Sequence, residues 1–243
     1  MSLDFELKEG AFIISDAHYS KKRPELEKLF VQIDSGVLQP TQLILMGDIF
    51  DTLFAPIPKT LHVNKKMIDL LNSIAAKIEV LYLEGNHDFC LDGIFKNVKI
   101  VPLDKQPFAC KFENKRVLLA HGDFSEGFMY KFYTTLIRSR FVLACLNIIN
   151  ALSNNAILKK LDAYLEKKED CHKFTGFESY IEQRLSQRFN QRCDYFIEGH
   201  FHQNKGFKIG GFSYFNLAAF ACNQRFFIVQ SSPKELLLEI KKL

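Results

Sequence analysis

Tryptophan is absent from the 243 residues, and no Cys-x-x-Cys pair occurs among the six cysteines. Cys90, Cys110, Cys145, Cys171, Cys193 and Cys222 are scattered singly, which excludes a thiolate zinc knuckle and a thioredoxin-type redox pair. They read as reduced thiols in a cytosolic protein, packed mostly as small apolar side chains. Long apolar runs are missing too. None approaches the roughly 20 residues that span a bilayer, and Asn147 and Asn150 break the longest candidate, Phe141 to Leu152. The first ten residues carry Asp4, Glu6 and Glu9 and lack the basic start and apolar stretch of a secretory signal. A cytoplasmic location is expected. Neither sign of charge dominates: the net charge is +4, and no extended Lys/Arg run suggests the groove of a nucleic-acid binder, so no specific nucleic-acid partner is expected. The mild basic bias suits phosphate-bearing or membrane-surface partners.

What is present is a large apolar fraction and an uneven use of histidine. Hydrophobic residues make up 47% of the chain, enough for a core without disulfides or a structural zinc. The length fits one domain, 1–243, carrying an insertion. Of the seven histidines, five fall in four motifs: Asp16-Ala17-His18, Gly85-Asn86-His87-Asp88, His121-Gly122-Asp123 and Gly199-His200-Phe201-His202. A fifth motif, Gly47-Asp48-Ile49-Phe50-Asp51, adds carboxylates. Oxygen and imidazole donors drawn from five places in a chain suit one or two divalent transition ions. His62 and His172 lie outside these motifs and are assigned no role.

Each motif follows a short apolar run: Ala11 to Ile14, Gln42 to Met46, Val80 to Leu83, Val117 to Ala120 and Tyr195 to Ile197. Such runs ending in polar turns read as buried strands. Helical patterns at Lys22 to Ser35 and Lys59 to Lys77 separate the first of them, as in β-α-β crossovers. Ligands of open α/β sheets sit outside the carboxyl ends of the strands, where all five motifs fall. If the backbone stays extended there, Asp16 and His18 share one side, as do His200 and His202. After Gly206, short runs at Phe207 to Ile209, Ser213 to Leu217, Arg225 to Val229 and Leu236 to Ile240 look like antiparallel strands closing a second sheet. Phe207, Phe212, Phe215, Phe220, Phe226 and Phe227 are expected in its core. The expected fold is α/β, a four-layer αββα sandwich of two mixed sheets.

The segment 125–192 reads as a helical insertion, or lid. Phe128, Phe132, Leu136 and Ile137, then Phe141 to Ile149, then Ile157, Leu158, Leu161 and Leu165 recur at helical spacing. Lys131, Arg138, Arg140, Lys159 and Lys160 are interspersed. Helices with apolar and basic faces lie in membrane interfaces or cover lipid clefts; a cap packed on itself is the equal alternative. The mixed run Glu166 to Asp170 reads as a solvated helix end.

A pair of ions needs a bridge and terminal ligands on either side. Asp48 suits the bridge. Asp16, His18 and His202 complete one site; Asn86, His121 and His200 complete the other. Ions about 3.5–4 Å apart ionise a shared water near neutral pH for in-line attack, without a covalent enzyme intermediate. His87 is expected to protonate the leaving oxygen or hydrogen-bond the phosphoryl group, alongside Asn86. Asp88 is expected to set the tautomer of His87. Asp51 and Asp123 are expected to orient metal-bound histidines, with Asp123 also near the substrate.

From about Phe12 to Asn216 these motifs resemble, in order, the signature of the calcineurin-like metallophosphoesterases. The resemblance implies a four-layer αββα fold, a dinuclear manganese site (iron or zinc being the alternatives) and hydrolysis of a phosphoester or phosphoanhydride. The insertion, from Gly122-Asp123 through Tyr130-Lys131-Phe132 to Arg138-Ser139-Arg140, is similar to that of the UDP-2,3-diacylglucosamine pyrophosphatases of lipid A synthesis. That closer resemblance implies a nucleotide-linked glycolipid as partner, cleaved to UMP and a lipid monophosphate, at the inner membrane face. Two departures stand out. His87 replaces the arginine of Gly-Asn-Arg-Asp, and Gln203 replaces the arginine after Gly-His-x-His, which removes permanent charge from the phosphate site. The alternative is a soluble metallophosphoesterase acting on a nucleotide, nucleic acid or phosphoprotein. A non-catalytic module without metals fits an intact ligand set poorly.

Overall fold

The computed structural model describes residues 5–125, 128–165, 167–188, 192–232 and 235–243. Its first half runs β1 (Phe12–Ile14), α1 (Glu25–Asp34), β2 (Gln42–Leu45), β3 (Leu53–Phe54), α2 (Pro58–Val63), α3 (Lys65–Ala75), β4 (Glu79–Leu83), β5 (Asp88–Phe89), β6 (Val98–Val101), β7 (Phe108–Phe112) and β8 (Lys115–Ala120). Then come α4 (Phe128–Ile137), α5 (Arg140–Leu152), α6 (Ala156–Leu165), α7 (Phe177–Arg188), β9 (Tyr195–Glu198), β10 (Lys205–Ile209), β11 (Phe212–Asn216), α8 (Phe220–Asn223), β12 (Arg225–Ser232) and β13 (Glu235–Lys242).

Two mixed sheets form the middle of an αββα sandwich. The first has the order β13-β12-β1-β2-β4-β6, the second β10-β11-β9-β8-β7. Strands β1, β2, β4 and β6 run parallel, with Ile13 opposite Ile44 and Leu81 opposite Lys99. In the second sheet β8, β9 and β11 run parallel, Leu118 lying opposite Phe196. Both faces of these strands are covered, which is why they read as unbroken apolar runs rather than as alternation.

Strand alternation sorts the side chains into three layers of core. Ile13, Ile44 and Leu81 point inward against Val117, Leu119 and Ile197 of the other sheet. Phe12, Ile14, Leu43 and Leu45 point outward onto α1 and α3. Helix α3 offers them Met67, Ile68, Leu71, Ile74 and Ala75, one stripe at three- and four-residue spacing. On the far side Leu118, Phe196 and Tyr214 meet Phe177, Ile181 and Leu185 of α7. Helix α7 therefore supplies the fourth layer, although it lies within the segment 125–192.

The C-terminal strands divide differently from the sequence expectation. Strands β10 and β11 pair in the second sheet, but β12 returns antiparallel to β1 in the first and carries β13 with it. Phe226 and Phe227 accordingly flank the first sheet, one on each face. Alternation within a short strand fixes its faces, not its sheet, so this assignment required tertiary contacts.

Helices α4 to α6 stand over the carboxyl ends of the first sheet. Leu143 and Leu158 pack on Phe54, Ile57 and Phe89. Much of the remaining apolar surface faces solvent: Phe132 is 59% exposed, Phe141 77% and Leu152 85%. A cap packed wholly on itself is thereby excluded. The side chains of Phe128 and Lys131, and Glu166 of the mixed charge run, lie outside the described residues. No described single helix is long and apolar enough to cross a membrane; α5 and α6 would pass such a test only as a pair bent by 103°.

Candidate metal centre

Five loops meet where β1, β2, β4, β8 and β9 end, because these strands run the same way within their sheets and the sheets face one another. Asp16 and His18 follow β1, Asp48 follows β2, Asn86 and His87 follow β4, His121 follows β8, and His200 and His202 follow β9. The loops are not extended. Asp16, His18, Asp48, His200 and His202 have φ of 51°, 46°, 52°, 64° and 61°. Non-glycine residues avoid this left-handed region, at a cost of order 1–3 kcal/mol each, unless the surroundings impose it. The expected strand-like alternation at Asp16/His18 and His200/His202 is therefore corrected: tight turns, not a continuing strand, aim these side chains. The backbone bonds His18 N–H to Asp48 O (2.9 Å) and Asp16 N–H to Gly47 O (3.1 Å) lock two of the loops together. Gly47 itself has φ +88°, and a Cβ there would sit 2.6 Å from His121 Nδ1.

The expected ligands fall into two groups. Asp16, His18 and His202 offer donor atoms within 4.8 Å of one another, and so do Asp48, His121 and His200. Asp48 lies between the groups: its Oδ2 is 3.5 Å from His121 Nε2 and 4.0 Å from His18 Nε2. Asn86 Oδ1 is 3.2 Å from His121 Nε2, which places it with the second group. A further grouping, His18 with Asp51 and His87, overlaps the first through His18.

Backbone carbonyls select the nitrogens that face the centre. A carbonyl can only accept, so Nδ1 of His121 donates to Met46 O (2.9 Å), Nδ1 of His202 to Asp170 O (2.5 Å), and Nδ1 of His87 to Asp51 O (3.1 Å). Each leaves Nε2 as the nitrogen aimed inward, the one whose lone pair a metal would take once the ring is neutral. The Asp51 carboxylate Oδ1 lies 3.3 Å from His18 Nδ1 without the geometry of a hydrogen bond. Asp123 is buried and 3.4 Å from Arg138 Nη2.

Asp88 is placed differently from the expectation. Its carboxylate accepts the backbone N–H groups of Asp48, Ile49, Phe50 and Gly85 at 2.6–3.1 Å and the Tyr82 hydroxyl at 2.5 Å. It braces the β2 and β4 loops against each other, while the tautomer of His87 is set by the Asp51 carbonyl. A carboxylate surrounded by N–H donors on adjacent turns is better served there than by a single imidazole.

The charge balance of the centre is that of a cation site. Burial alone would raise Asp48 and Asp16, yet the imidazoles around them hold both carboxylates well below the usual range. Burial lowers His202, but Asp16, 3.0 Å from its Nε2, overrides this and lifts it to about 8. His200 is pushed down to about 4, first by burial and then by the neighbouring His121. His87 is lowered, chiefly by burial, with Lys168 adding to the effect. His18 is 1% exposed, and neither of its ring nitrogens has a hydrogen-bond partner. Buried polar atoms rarely go unpaired. Buried carboxylates, inward-facing Nε2 atoms and an orphaned imidazole together fit two divalent ions.

Several contributors lie outside the motifs. Lys168 Nζ is 3.4 Å from His87 Nε2. Asp170 orients His202 through its carbonyl and pairs with Arg23 at 2.7 Å. Arg184 of α7 donates to Gly122 O at 2.8 Å and pairs with buried Glu198. Gln106 Oε1 accepts the N–H of His121 at 2.7 Å. Gln203 accepts the N–H of Phe174 at 2.8 Å, tying the end of the insertion to the β9 loop. The reading of all six cysteines as free thiols is corrected: Cys171 and Cys222 form a disulfide, and the other four are free. Isolated cysteines 51 residues apart carry no sequence signal of pairing.

Residues 11–204 match the family model described as calcineurin-like phosphoesterase. The chain belongs to that family. It has an αββα fold, and the loops at its strand ends gather carboxylate and imidazole groups. Among curated relatives, the UDP-2,3-diacylglucosamine hydrolase of Histophilus somni (strain 129Pt) is 30% identical over 113 residues, 46% of this chain and 48% of the relative. The enzyme of the same name from Coxiella burnetii (strain RSA 331 / Henzerling II) is 29% identical over 111 residues, 45% of each chain. The matched region thus spans about half the length of these relatives. Among solved structures, the phosphoesterase YfcE from E. coli superposes with a TM-score of 0.47 at 14% identity, covering 91% of this chain and 88% of that one.

Proposed function

We propose that this phosphoesterase cleaves the pyrophosphate of a nucleotide-linked glycolipid, UDP-2,3-diacylglucosamine, to UMP and a lipid monophosphate. The observation that carries the reading is the exposed apolar surface of α4 to α6 standing beside a phosphohydrolase centre. Phe132, Phe141 and Leu152 have no counterpart in the needs of a soluble substrate, whereas acyl chains and a membrane surface would cover them. The names of the relatives support the same substrate. In this reading the protein works peripherally at a membrane surface, with manganese as its metal.

Two divalent ions held by Asp16, His18, Asp48, Asn86, His121, His200 and His202 would supply positive charge and an ionised water near neutral pH. The protein's own groups do the rest. His87 Nε2 and Lys168 Nζ converge on one point at the edge of the centre. Lys168 brings an amine donor beside His87, the residue that stands in place of the arginine of Gly-Asn-Arg-Asp. His87 is fixed by Asp51 through Nδ1; a proton taken up at Nε2 from Lys168 or solvent would let it hydrogen-bond the phosphoryl group or protonate the departing phosphate oxygen. Hydrolysis adds the elements of water across the P–O–P bridge, so both products leave as phosphate monoesters.

The deciding assay is UMP release from UDP-2,3-diacylglucosamine by manganese-loaded protein beside Asp48→Ala. Release by the wild type alone supports the glycolipid. No UMP, with Asp48-dependent cleavage of bis-p-nitrophenyl phosphate, would discard the glycolipid and retain the hydrolase.

A further inference from the structure

The Gly85–Asn86 peptide is gripped from two sides. On one side the Asp48 carboxylate packs so closely that a Cβ at Gly85 would overlap it. On the other, Arg138, the residue following α4, donates from Nη2 to Gly85 O at 2.8 Å. The guanidinium is 13% exposed, with Glu84 3.5 Å from Nη1 and Asp123 3.4 Å from Nη2. It also lies 4.9 Å over the Phe89 ring. Read from sequence, Arg138 belongs to the basic face of an amphipathic insertion. The structure turns it inward, onto the loops after β4 and β8.

We propose that Arg138 is a positioning residue, through which the docked insertion fixes Asn86 and thereby one of the two ion sites. The carbonyl of Gly85 and the N–Cα bond of Asn86 share one rigid peptide plane. Gly85, without a side chain, cannot hold that plane by itself. Arg138 pins its oxygen, and Asn86 Oδ1 then meets His121 Nε2 at 3.2 Å. The planar fork can bond Gly85 and Asp123 together while stacking on Phe89; a lysine ammonium cannot reproduce that geometry. The site of Asn86, Asp48, His121 and His200 therefore depends on the insertion, whereas that of Asp16, His18 and His202 does not depend on Arg138.

The test is a manganese titration of metal-free Arg138→Ala by calorimetry, with bis-p-nitrophenyl phosphate turnover measured in parallel. This substrate makes the outcome independent of the glycolipid reading. One of the two ions is expected to bind roughly 10–100-fold more weakly, the usual effect of losing a group behind a ligand. kcat should fall by a similar factor with KM little changed, and added methylguanidinium should restore part of both. Arg140→Ala, whose side chain is 60% exposed and paired with Asp92, is the control and should bind both ions normally. If the alanine variant does not fold, Arg138→Gln keeps one donor and should weaken the same site less. Wild-type affinity at both sites, or equal weakening of both without rescue by methylguanidinium, would overturn the proposal.

Discussion

His202 Nδ1 donates to the carbonyl oxygen of Asp170 at 2.5 Å, and Asp170 immediately precedes Cys171, which is bonded to Cys222. Cys222 sits on α8, whose neighbour Ala221 donates its N–H to Asp16 O at 3.1 Å. The disulfide thus closes a short bridge across the group of Asp16, His18 and His202. Replacing Cys171 by Ser frees the segment that orients His202. Loss of a native disulfide typically costs 2–5 kcal/mol, so the melting temperature should fall. Manganese affinity should drop about tenfold or more, and a dithiol reductant should produce the same changes in the wild type. Unchanged metal affinity in Cys171→Ser would show that the bridge does not support His202.

Metal binding should release protons. A ligand imidazole must be neutral to coordinate, and in the metal-free protein His202 is raised from 6.5 to about 8 by its contact with Asp16. Apparent manganese affinity should therefore climb as pH rises from 6.5 through about 8. The same raised group stabilises the metal-free fold fully below its unfolded value of 6.5, and that contribution disappears as pH rises through about 8. Calorimetry in buffers of different ionisation enthalpy measures the protons directly. Affinity that is flat over this range would contradict the assigned charge of His202.

Much of this centre is legible in the sequence. Seven donor residues after five apolar runs pointed to one place because parallel strands deliver their carboxyl ends together. What was not legible came from residues whose sequence neighbours carry no pattern. Asp170 acts through its carbonyl, which any residue possesses. Arg138 and Arg184 lie among the charges of an amphipathic insertion and are distinguished only by burial. Asp88, next to His87 in sequence, belongs to the backbone of another loop. Likewise β12 and β13 have the alternation of the second sheet's strands and were separable only by their pairing with β1.

Arg184 and Glu198 form an ion pair with both side chains almost fully buried, and Tyr214 adds its hydroxyl to Glu198 at 2.7 Å. Burial raises Glu198 even though Arg184 opposes it. Removing one partner of a buried pair leaves a charge without compensation, at about 3–5 kcal/mol, while replacing both with apolar residues is often neutral. Arg184→Met should therefore destabilise strongly in urea unfolding, and Arg184→Met with Glu198→Leu should recover much of the loss. Arg184 also bonds Gly122 O beside His121, so the double variant should keep its fold but bind metal more weakly. Recovery of both stability and full metal affinity would reduce the pair to a packing element.

On α5, Phe141, Ile148 and Leu152 recur at seven and then four residues, a single helical stripe, and are 77%, 60% and 85% exposed. Leu143, one turn-position away, is buried against the β3–β5 region, so the helix has one face on the protein and another with no protein partner among the described residues. Burying a Phe or Leu side chain is worth about 1.5–3 kcal/mol. If the stripe enters a bilayer surface, Phe141→Ser and Leu152→Ser should each weaken binding to phosphatidylethanolamine–phosphatidylglycerol vesicles by about tenfold or more. Neither residue touches the core, so the melting temperature should hold steady and turnover of bis-p-nitrophenyl phosphate should persist. Co-sedimentation equal to the wild type would place the membrane surface elsewhere on the protein and leave acyl chains as the only occupant consistent with the proposed substrate.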